Sequence, residues 1–322
     1  MKTMSRTRIV LVFLVAALVL LSAPAHTAEQ YKRVHRETAI KMDKGNWTAA
    51  RKQMEERLDK DPDDAESHWM LSLILARQGD EQKAIKHVKA ALDAGLPFGR
   101  YLAGPRSWTE PLTKLSAFQK LAKRRDQRLV HGPMVGCVTD DSAKFWVRTA
   151  GEAKVKVTVS PHIDMSAPQR TATCRTRSER ECTGVARVTD LRADQHYYYR
   201  VRADGKRQGG RFSFRTAPHD GQPARFRVAF GGGAGYTPQH ERTWEAISSH
   251  NPRALLLLGD NVYIDSPKRP DVQKYIYYRR QSRPEFCNLI ASTGVYAVWD
   301  DHDFTTNDGR GGPDINKPAW KV

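Results

Sequence analysis

An acidic run directly after an apolar segment carries the residues best suited to chemistry. Asp300, Asp301, His302 and Asp303 follow the apolar stretch that ends at Trp299. Carboxylates this close together cannot all ionise unless nearby positive charge offsets their repulsion. Carboxylate oxygen and imidazole nitrogen are also common metal ligands. The run therefore predicts part of a metal site, and the alternative is a polar loop with helix caps.

A second acidic position predicts the other part of that site. Asp260 comes just after the leucines of 255–258, and Tyr263 follows three positions later. A carboxylate next to a buried strand is costly unless a positive charge lies close to it, and a metal ion supplies such a charge. If the two strands are neighbours, Asp260 lies near Asp300 and Asp301, and we predict that these carboxylates share a cation.

The surrounding segment alternates strand and helix patterns. In chain order, strand, helix, strand, helix and strand patterns cover 224–230, 237–250, 253–260, 270–282 and 294–303. This order is typical of a parallel sheet covered by helices, in which ligands bind at the carboxyl ends of the strands. The first strand runs into glycines 231–235, which match neither phosphate-binding glycine motif.

Residues 130–217 change to a period of two, with short β-branched and aromatic runs between Gly, Asp and Pro turns. The pattern predicts a small antiparallel β sandwich. Leu191 and Tyr197 are spaced as in the tyrosine corner of fibronectin type III domains, and Trp146 is predicted to be the core indole.

Two cysteines flank a basic stretch in this segment and could close a hairpin loop. Cys174 and Cys182 are therefore a disulfide candidate if the protein is exported. The alternative is that all four cysteines of the chain are buried thiols.

Residues 31–100 read as helix and repeat with a shift of 34 residues, which places Gly45 on Gly79 and Ala50 on Ala84. The segment resembles a pair of tetratricopeptide repeats. Two repeats bury little core alone, so we expect them to pack on their neighbours. They are either a peptide-binding groove or a packing module. Residues 101–129, with two prolines and a basic stretch, are predicted to be a linker.

The N-terminus has the pattern of a signal peptide over residues 1–25. Three basic residues precede the apolar run Ile9–Leu21, and Ala23 and Ala25 are the small residues before the cleavage point. The run is short for a stable membrane span, and an uncleaved anchor is the alternative. Either reading predicts export to the periplasm or the extracellular space.

The chain is strongly basic, with a formal net charge of +17 over 322 residues. Such a charge favours anionic partners. The basic residues are scattered along the sequence, however, which argues against a dedicated nucleic-acid groove.

Residues from about 129 to 322 resemble the alkaline phosphatase D (PhoD) type of calcineurin-like metallophosphoesterase. The matching motifs are GPMVGCVTDDSAKFWVR at 132–148, LLLGDNVY at 256–263 and WDDHD at 299–303. The resemblance implies a multidomain chain in which a helical repeat and a fibronectin III-like β sandwich precede a partial α/β metallophosphatase domain, 223–322. The complete domain is a four-layer α-β-β-α sandwich around a dinuclear site.

The resemblance also implies roles for the site residues. Asp260 would bridge two ions, Tyr263 would be a phenolate ligand of Fe³⁺, and Asp300 or Asp301 would hold the second ion. That second ion is Ca²⁺ in the best-known members, with Zn²⁺ or Mn²⁺ as alternatives. His302 would be the acid that protonates the leaving oxygen.

One further position matches the family, and two features depart from it. Asn307 matches the asparagine that trails the last motif. Gly232 and Gly233, however, stand where the family has Ser-Cys, the cysteine being an iron ligand. The sequence ends at Val322, before the later histidines of the family. We therefore expect either a truncated product of a longer gene or a remnant.

Two functions follow from these observations. The first is an exported metal-dependent hydrolase of phosphate esters, acting on a small molecule or a phosphodiester polymer. The second is an inactive binding or scaffold protein, whose helical repeats hold a peptide partner. Gly232 and Gly233 favour the second, and the acidic motifs favour the first.

Overall fold

The computed structural model describes residue 31 and residues 33–310, so the predicted signal peptide lies outside the described residues. The chain folds into a helical segment, an antiparallel β sandwich and a three-stranded parallel sheet with helices. None of the described helices is long and apolar enough to cross a membrane.

Seven helices form the first segment. They are α1 (33–43), α2 (Trp47–Leu58), α3 (Ala65–Arg77), α4 (Glu81–Asp93), α5 (Gly99–Ala103), α6 (Arg106–Thr113) and α7 (Ser116–Arg125). Gly45 and Gly79 follow the ends of α1 and α3 with φ of 76° and 84°. The next residues, Asn46 and Asp80, cap α2 and α4 with their side chains. A left-handed glycine followed by an N-cap thus recurs with the sequence repeat.

The predicted linker over 101–129 is wrong. Most of this stretch lies in α5, α6 and α7, and Tyr101, Trp108, Leu112 and Phe118 are buried in the core of the helical segment. The apolar residues recur at helical spacing, and their burial outweighs the presence of prolines and basic residues. Pro105 lies just before α6, where the missing N–H costs nothing.

Seven strands form the sandwich. They are β1 (Leu129–Gly136), β2 (Ala143–Thr149), β3 (Ala153–Ser160), β4 (Arg170–Thr176), β5 (Thr183–Val188), β6 (His196–Ala203) and β7 (Lys206–Arg215). The two antiparallel sheets have the orders β1-β2-β5 and β4-β3-β6-β7. Phe145, Tyr199 and Phe214 pack between them. Tyr197 Oη accepts a hydrogen bond from the Arg192 N–H at 2.8 Å, as in a tyrosine corner.

Two predictions for the sandwich differ from the structure. Trp146 is only half-buried, because alternation along β2 turns Phe145 into the core and Trp146 to the opposite face. Cys174 and Cys182 are free thiols. Cys174 Sγ lies beside Gly184, and Cys182 Sγ accepts a hydrogen bond from the Arg106 guanidinium at 3.2 Å.

The parallel sheet has the order β10-β9-β8, formed by β8 (Val228–Gly231), β9 (Ala254–Leu258) and β10 (Gly294–Val298). Helices α8 (Thr243–Ser249), α9 (Pro270–Gln281) and α10 (Pro284–Ser292) connect the strands. Leu258 pairs with Val298 at the carboxyl ends of β9 and β10. Asp260 and Asp300, each two residues beyond this pair, therefore lie at the same edge of the sheet.

The two faces of this sheet are covered differently. Trp244, Phe286 and Leu289 from α8 and α10 pack on one face. On the other face, apolar side chains at alternate positions are exposed, including Phe230, Leu258 and Val298. Within the described residues the structure thus contains one sheet and one helical layer of the implied four-layer sandwich.

Both N-terminal segments pack on the parallel-sheet segment. Trp69 of α3 stacks on Tyr275 of α9 with ring centroids 5.6 Å apart, and one continuous apolar core joins the seven helices to α9. On the sandwich side, Tyr199 Oη donates to the Ala291 carbonyl at 2.6 Å. The helical repeat is therefore packed against the sheet segment, as expected for a repeat too short to stand alone.

Candidate metal centre

Asp260 lies in a turn whose backbone only a preceding glycine can form. Gly259 has a φ of 100°, and a Cβ there would lie 2.6 Å from the Asp300 Cβ. Asp260 itself has a φ of 49°, in the left-handed region that Asp tolerates better than most residues. This turn brings the ends of β9 and β10 into close contact.

The two carboxylate oxygens of Asp260 have different surroundings. Oδ2 accepts a hydrogen bond from Tyr263 Oη at 3.1 Å. Oδ1 is buried and has no hydrogen-bond partner among the described residues. An unpaired buried carboxylate oxygen is costly, so this atom is suited to bind a cation.

Three of the predicted residues come together. Ligand atoms of Asp260, Asp301 and His302 lie within 4.8 Å of one another, and this is the only group of three or more His, Cys, Asp or Glu side chains so arranged in the described residues. Asp301 and His302 begin the short helix α11 (Asp301–Phe304) directly after β10. The two strand ends thus meet as the sequence pattern predicts.

Tyr263 lies beside this group. Its ring centroid is 4.4 Å from that of His302. Burial, the hydrogen bond to Asp260 and the charges of the nearby carboxylates raise the pKa of Tyr263 to about 12. A phenol in such surroundings loses its proton only when a cation offsets the acids.

Asp300 and Asn307 lie outside the group of three. Asp300 is exposed and caps α11, its Oδ1 accepting from the Asp301 N–H at 2.8 Å. Asn307 is also exposed and donates to Asp308 Oδ2 at 2.5 Å. The structure therefore ties both residues to the loop after β10.

Asp303 has a structural role that the sequence did not reveal. It is buried and accepts hydrogen bonds from the Val262 N–H at 3.0 Å, Asn261 Nδ2 at 3.1 Å and the Asp300 N–H at 3.0 Å. Burial raises the pKa of Asp303 despite these bonds. Asp303 thus fastens the loop after β9 to the loop after β10.

Asp265 was also not identified from the sequence. Its Oδ1 lies 2.5 Å from His302 Nδ1, and its Oδ2 pairs with Arg36 of α1. Burial lowers the pKa of His302, but the hydrogen bond to Asp265 and the charges of Asp265, Asp260 and Asp301 outweigh it, and the net shift is upward. The only sequence signal for Asp265 is its closeness to the LLLGDNVY motif.

The glycine loop after β8 forms another side of the site. The Ala234 N–H donates to the Asp260 carbonyl at 2.9 Å, and Arg280 donates to the Ala234 carbonyl at 2.7 Å. A Cβ at Gly233 would lie 3.7 Å from Tyr263 Oη. A side chain at position 233 would therefore face the site, and this chain has none.

The donors present fit one metal ion. Ligand atoms about 2.0–2.4 Å from a common ion lie within about 4.8 Å of one another, as these three do. A second ion would need further donors, and in the described residues Asp300 and Asn307 do not join the group.

Two family models match parts of the chain. A tetratricopeptide repeat model matches residues 40–97, and the model of a domain of unknown function (DUF7800) matches residues 126–217. A search of curated proteins finds no match.

Among solved structures, PhoD matches with a TM-score of 0.52 and 16% identity, over 58% of this chain and 44% of PhoD. A purple acid phosphatase from yellow lupin (Lupinus luteus) seeds matches with a TM-score of 0.43 and 11% identity, over 60% of this chain and 40% of the lupin protein. The chain thus spans less than half of each. In chain order, a helical repeat is followed by antiparallel sheets and a partial phosphatase-like fold. The match to PhoD covers 58% of the chain, and over that part the chain shares the fold of PhoD.

Proposed function

We propose that this protein is an exported, metal-dependent phosphoric ester hydrolase of the PhoD type. The observation that carries the proposal is the convergence of Asp260, Asp301 and His302 within 4.8 Å at the carboxyl ends of two parallel strands. The buried, unpartnered Oδ1 of Asp260 supports a cation at this point. The fold shared with PhoD is consistent with the same chemistry.

The proposed ligands are Asp260 and Asp301, with Tyr263 as a third. His302, the remaining member of the group of three, is proposed as the acid beside the ion and not as a ligand. Asp300 and Asn307 stay candidates for a second ion, as the resemblance implies. The proposed pair is Fe³⁺ and Ca²⁺, with Zn²⁺ or Mn²⁺ as alternatives, and the donors that come together account for one of the two ions. Such ions would bind phosphate oxygens and lower the pKa of a bound water.

The residues of the chain orient and protonate the reacting groups. The hydrogen bond from His302 Nδ1 to Asp265 fixes the imidazole ring and leaves Nε2 as the nitrogen able to pass a proton to the leaving oxygen. Tyr263 donates a hydrogen bond to one oxygen of Asp260, and as a phenolate ligand it would give up that proton. Asp303 and Arg280 hold the loops that carry these groups.

The test compares Asp260→Asn with Asp190→Asn. Both aspartates have positive φ, 49° and 58°, so asparagine suits both backbones, but Asp190 is exposed on the sandwich. We expect Asp260→Asn to lose bound metal, measured by elemental analysis, and more than about a hundredfold in turnover of 4-nitrophenyl phosphate and its diester. Asp190→Asn should match the wild type.

Two results would oppose the proposal. The wild-type protein, supplied with iron and calcium, could take up no metal and turn over neither ester. Alternatively, turnover could survive in Asp260→Asn. The first result would favour the inactive binding protein, which the glycines at 232 and 233 already suggest.

A further inference from the structure

A cavity of about 330 Å³ lies between the helical segment and the candidate metal centre. Its walls include Tyr263 and His302 of the centre and Arg279 of α9. Arg33 and Arg36 of α1 also line it. The helical repeat therefore contributes side chains to the immediate surroundings of the centre.

The cavity walls carry more positive than negative charge. Three guanidinium groups face one carboxylate, Asp265, which is already bound to Arg36 and His302. Arg33 and Arg36 are three residues apart on a helix, so they lie on the same face. This arrangement favours an anion over a neutral ligand.

Arg279 is the most informative of the three arginines. It is 5% exposed, donates to Tyr275 Oη at 3.1 Å and lies 4.1 Å from the Tyr236 ring centroid. Its Nε has no hydrogen-bond partner, and no carboxylate oxygen lies within 4.0 Å of its nitrogens in the described part of the chain.

The nearest acid of the helical core is already paired. Glu66 binds Arg100 at 2.8 Å, and both side chains are buried. Glu66 also attracts Arg279, and the two lower the free energy of each other's charged form. Arg279 thus places a buried cation in the cavity wall, where a bound anion would add a direct partner.

We propose that this cavity binds a second phosphate group of the substrate, beyond the phosphate ester that is hydrolysed. Guanidinium groups bind phosphate through paired, charge-assisted hydrogen bonds, and several arginines around one cavity suit a multiply charged group. The substrate class is then a phosphate ester that carries another phosphate. The hydrolytic part rests on the proposed function, whereas anion binding by the arginines does not.

Anion binding can be measured without catalysis. The full-length protein, freed of metal with a chelator, is titrated with inorganic pyrophosphate in a calorimeter. We expect Arg33→Gln and Arg36→Gln each to weaken binding by about tenfold, since each removes charged hydrogen-bond donors. Arg51→Gln is the matched control, because it removes the same charge from α2, where Arg51 pairs with Glu55.

A variant that is expected to tighten binding shows that weaker binding in the other variants is not caused by loss of folding. Asp265→Asn removes the only carboxylate among the described residues that line the cavity, and asparagine tolerates the φ of 44° at this position. We expect it to tighten pyrophosphate binding. A misfolded protein cannot give this result.

Three outcomes would overturn the inference. The wild type could fail to bind pyrophosphate, the two arginine variants could bind as tightly as Arg51→Gln, or malonate could bind as tightly as pyrophosphate. The last would assign the cavity to carboxylates. If these occur while Asp260→Asn still abolishes turnover, the proposed function stands and only the second phosphate site fails.

Discussion

The backbone at Gly259 determines where the Asp260 carboxylate lies. A residue with a Cβ at this position would have an unfavourable φ of 100°. Its Cβ would also lie 2.6 Å from the Asp300 Cβ. Gly205, in the turn between β6 and β7, has a φ of 80°, but a Cβ there would have no other atom within 4 Å. Comparing alanine substitutions at the two glycines therefore separates the cost of backbone strain from the cost of steric contact.

We predict that Gly205→Ala lowers the free energy of unfolding by about 1 kcal/mol, from backbone strain alone. Gly259→Ala should cost about 3 kcal/mol, because the contact with Asp300 adds to the strain. It should also reduce metal binding, which Gly205→Ala should leave intact. Urea unfolding and elemental analysis measure these effects, and equal costs for the two variants would contradict the role of the contact.

Individual site residues were predictable where they follow strand ends. Asp260, Asp301 and His302 come together because β9 and β10 are parallel neighbours in equal register. Asp265 could not be found this way, since its partner Arg36 is 229 residues away in the sequence. No local pattern records such a contact.

At the level of elements, His131 connects β1 to the turn between α9 and α10. Its Nε2 lies 3.0 Å from Ser282 Oγ, and its ring is buried beside Tyr278. Burial, followed by the charges of Arg148 and Arg100, lowers the pKa of His131 well below its usual value. The folded protein therefore keeps this imidazole neutral.

This neutral histidine predicts sensitivity to acid. Below about pH 6.5 the unfolded chain binds a proton at His131 that the folded chain does not, so stability falls by up to about 1.4 kcal/mol per pH unit. Between pH 7.5 and 5.5, His131→Gln should lose less stability than the wild type in urea unfolding. The exposed His162→Gln serves as control, and parallel losses in all three proteins would refute the prediction.

Whether a segment forms a helix or a strand was easier to predict than which of its residues are buried. The alternating patterns of 224–303 correspond to three parallel strands with helices between them. The linker prediction for 101–129 was wrong because Pro105 lies at the start of a helix, Pro111 lies within α6, and the basic residues lie in the last turn of α7. Trp146 was wrong because both faces of β2 carry aromatic residues, and only packing decides which one is inside.

At the level of the whole molecule, the helical segment and the sheet segment share one core. Tyr275 of α9 is fully buried between Trp69 and Trp108, with ring centroids 5.6 and 6.0 Å away. The core formed by these residues continues to Val262 and Ile264, next to the candidate centre. The two segments should therefore unfold together.

We predict that Tyr275→Ala lowers the free energy of unfolding by about 3–5 kcal/mol, since it leaves a large cavity in this core. Tyr296→Ala, at a side chain that is 45% exposed, should cost less than about 1 kcal/mol. Circular dichroism and tryptophan fluorescence should report the same midpoint in the wild type. Separate midpoints would show that the helical segment unfolds independently.

The order of segments was predictable from the sequence, but their packing was not. Periodicity reports which residues of a helix or strand are buried, whereas it does not identify the neighbour that buries them. The stacking of Trp69 on Tyr275 and the Arg36–Asp265 pair both join residues far apart in the chain.

The Arg36–Asp265 pair also bears on how the protein is made. The ribosome adds Arg36 of α1 229 residues before Asp265. A nascent chain that has released only the helical repeat still lacks α9, so Trp69 has no Tyr275 to cover it. We therefore expect the repeat to complete its core only after the later part of the chain has been translated.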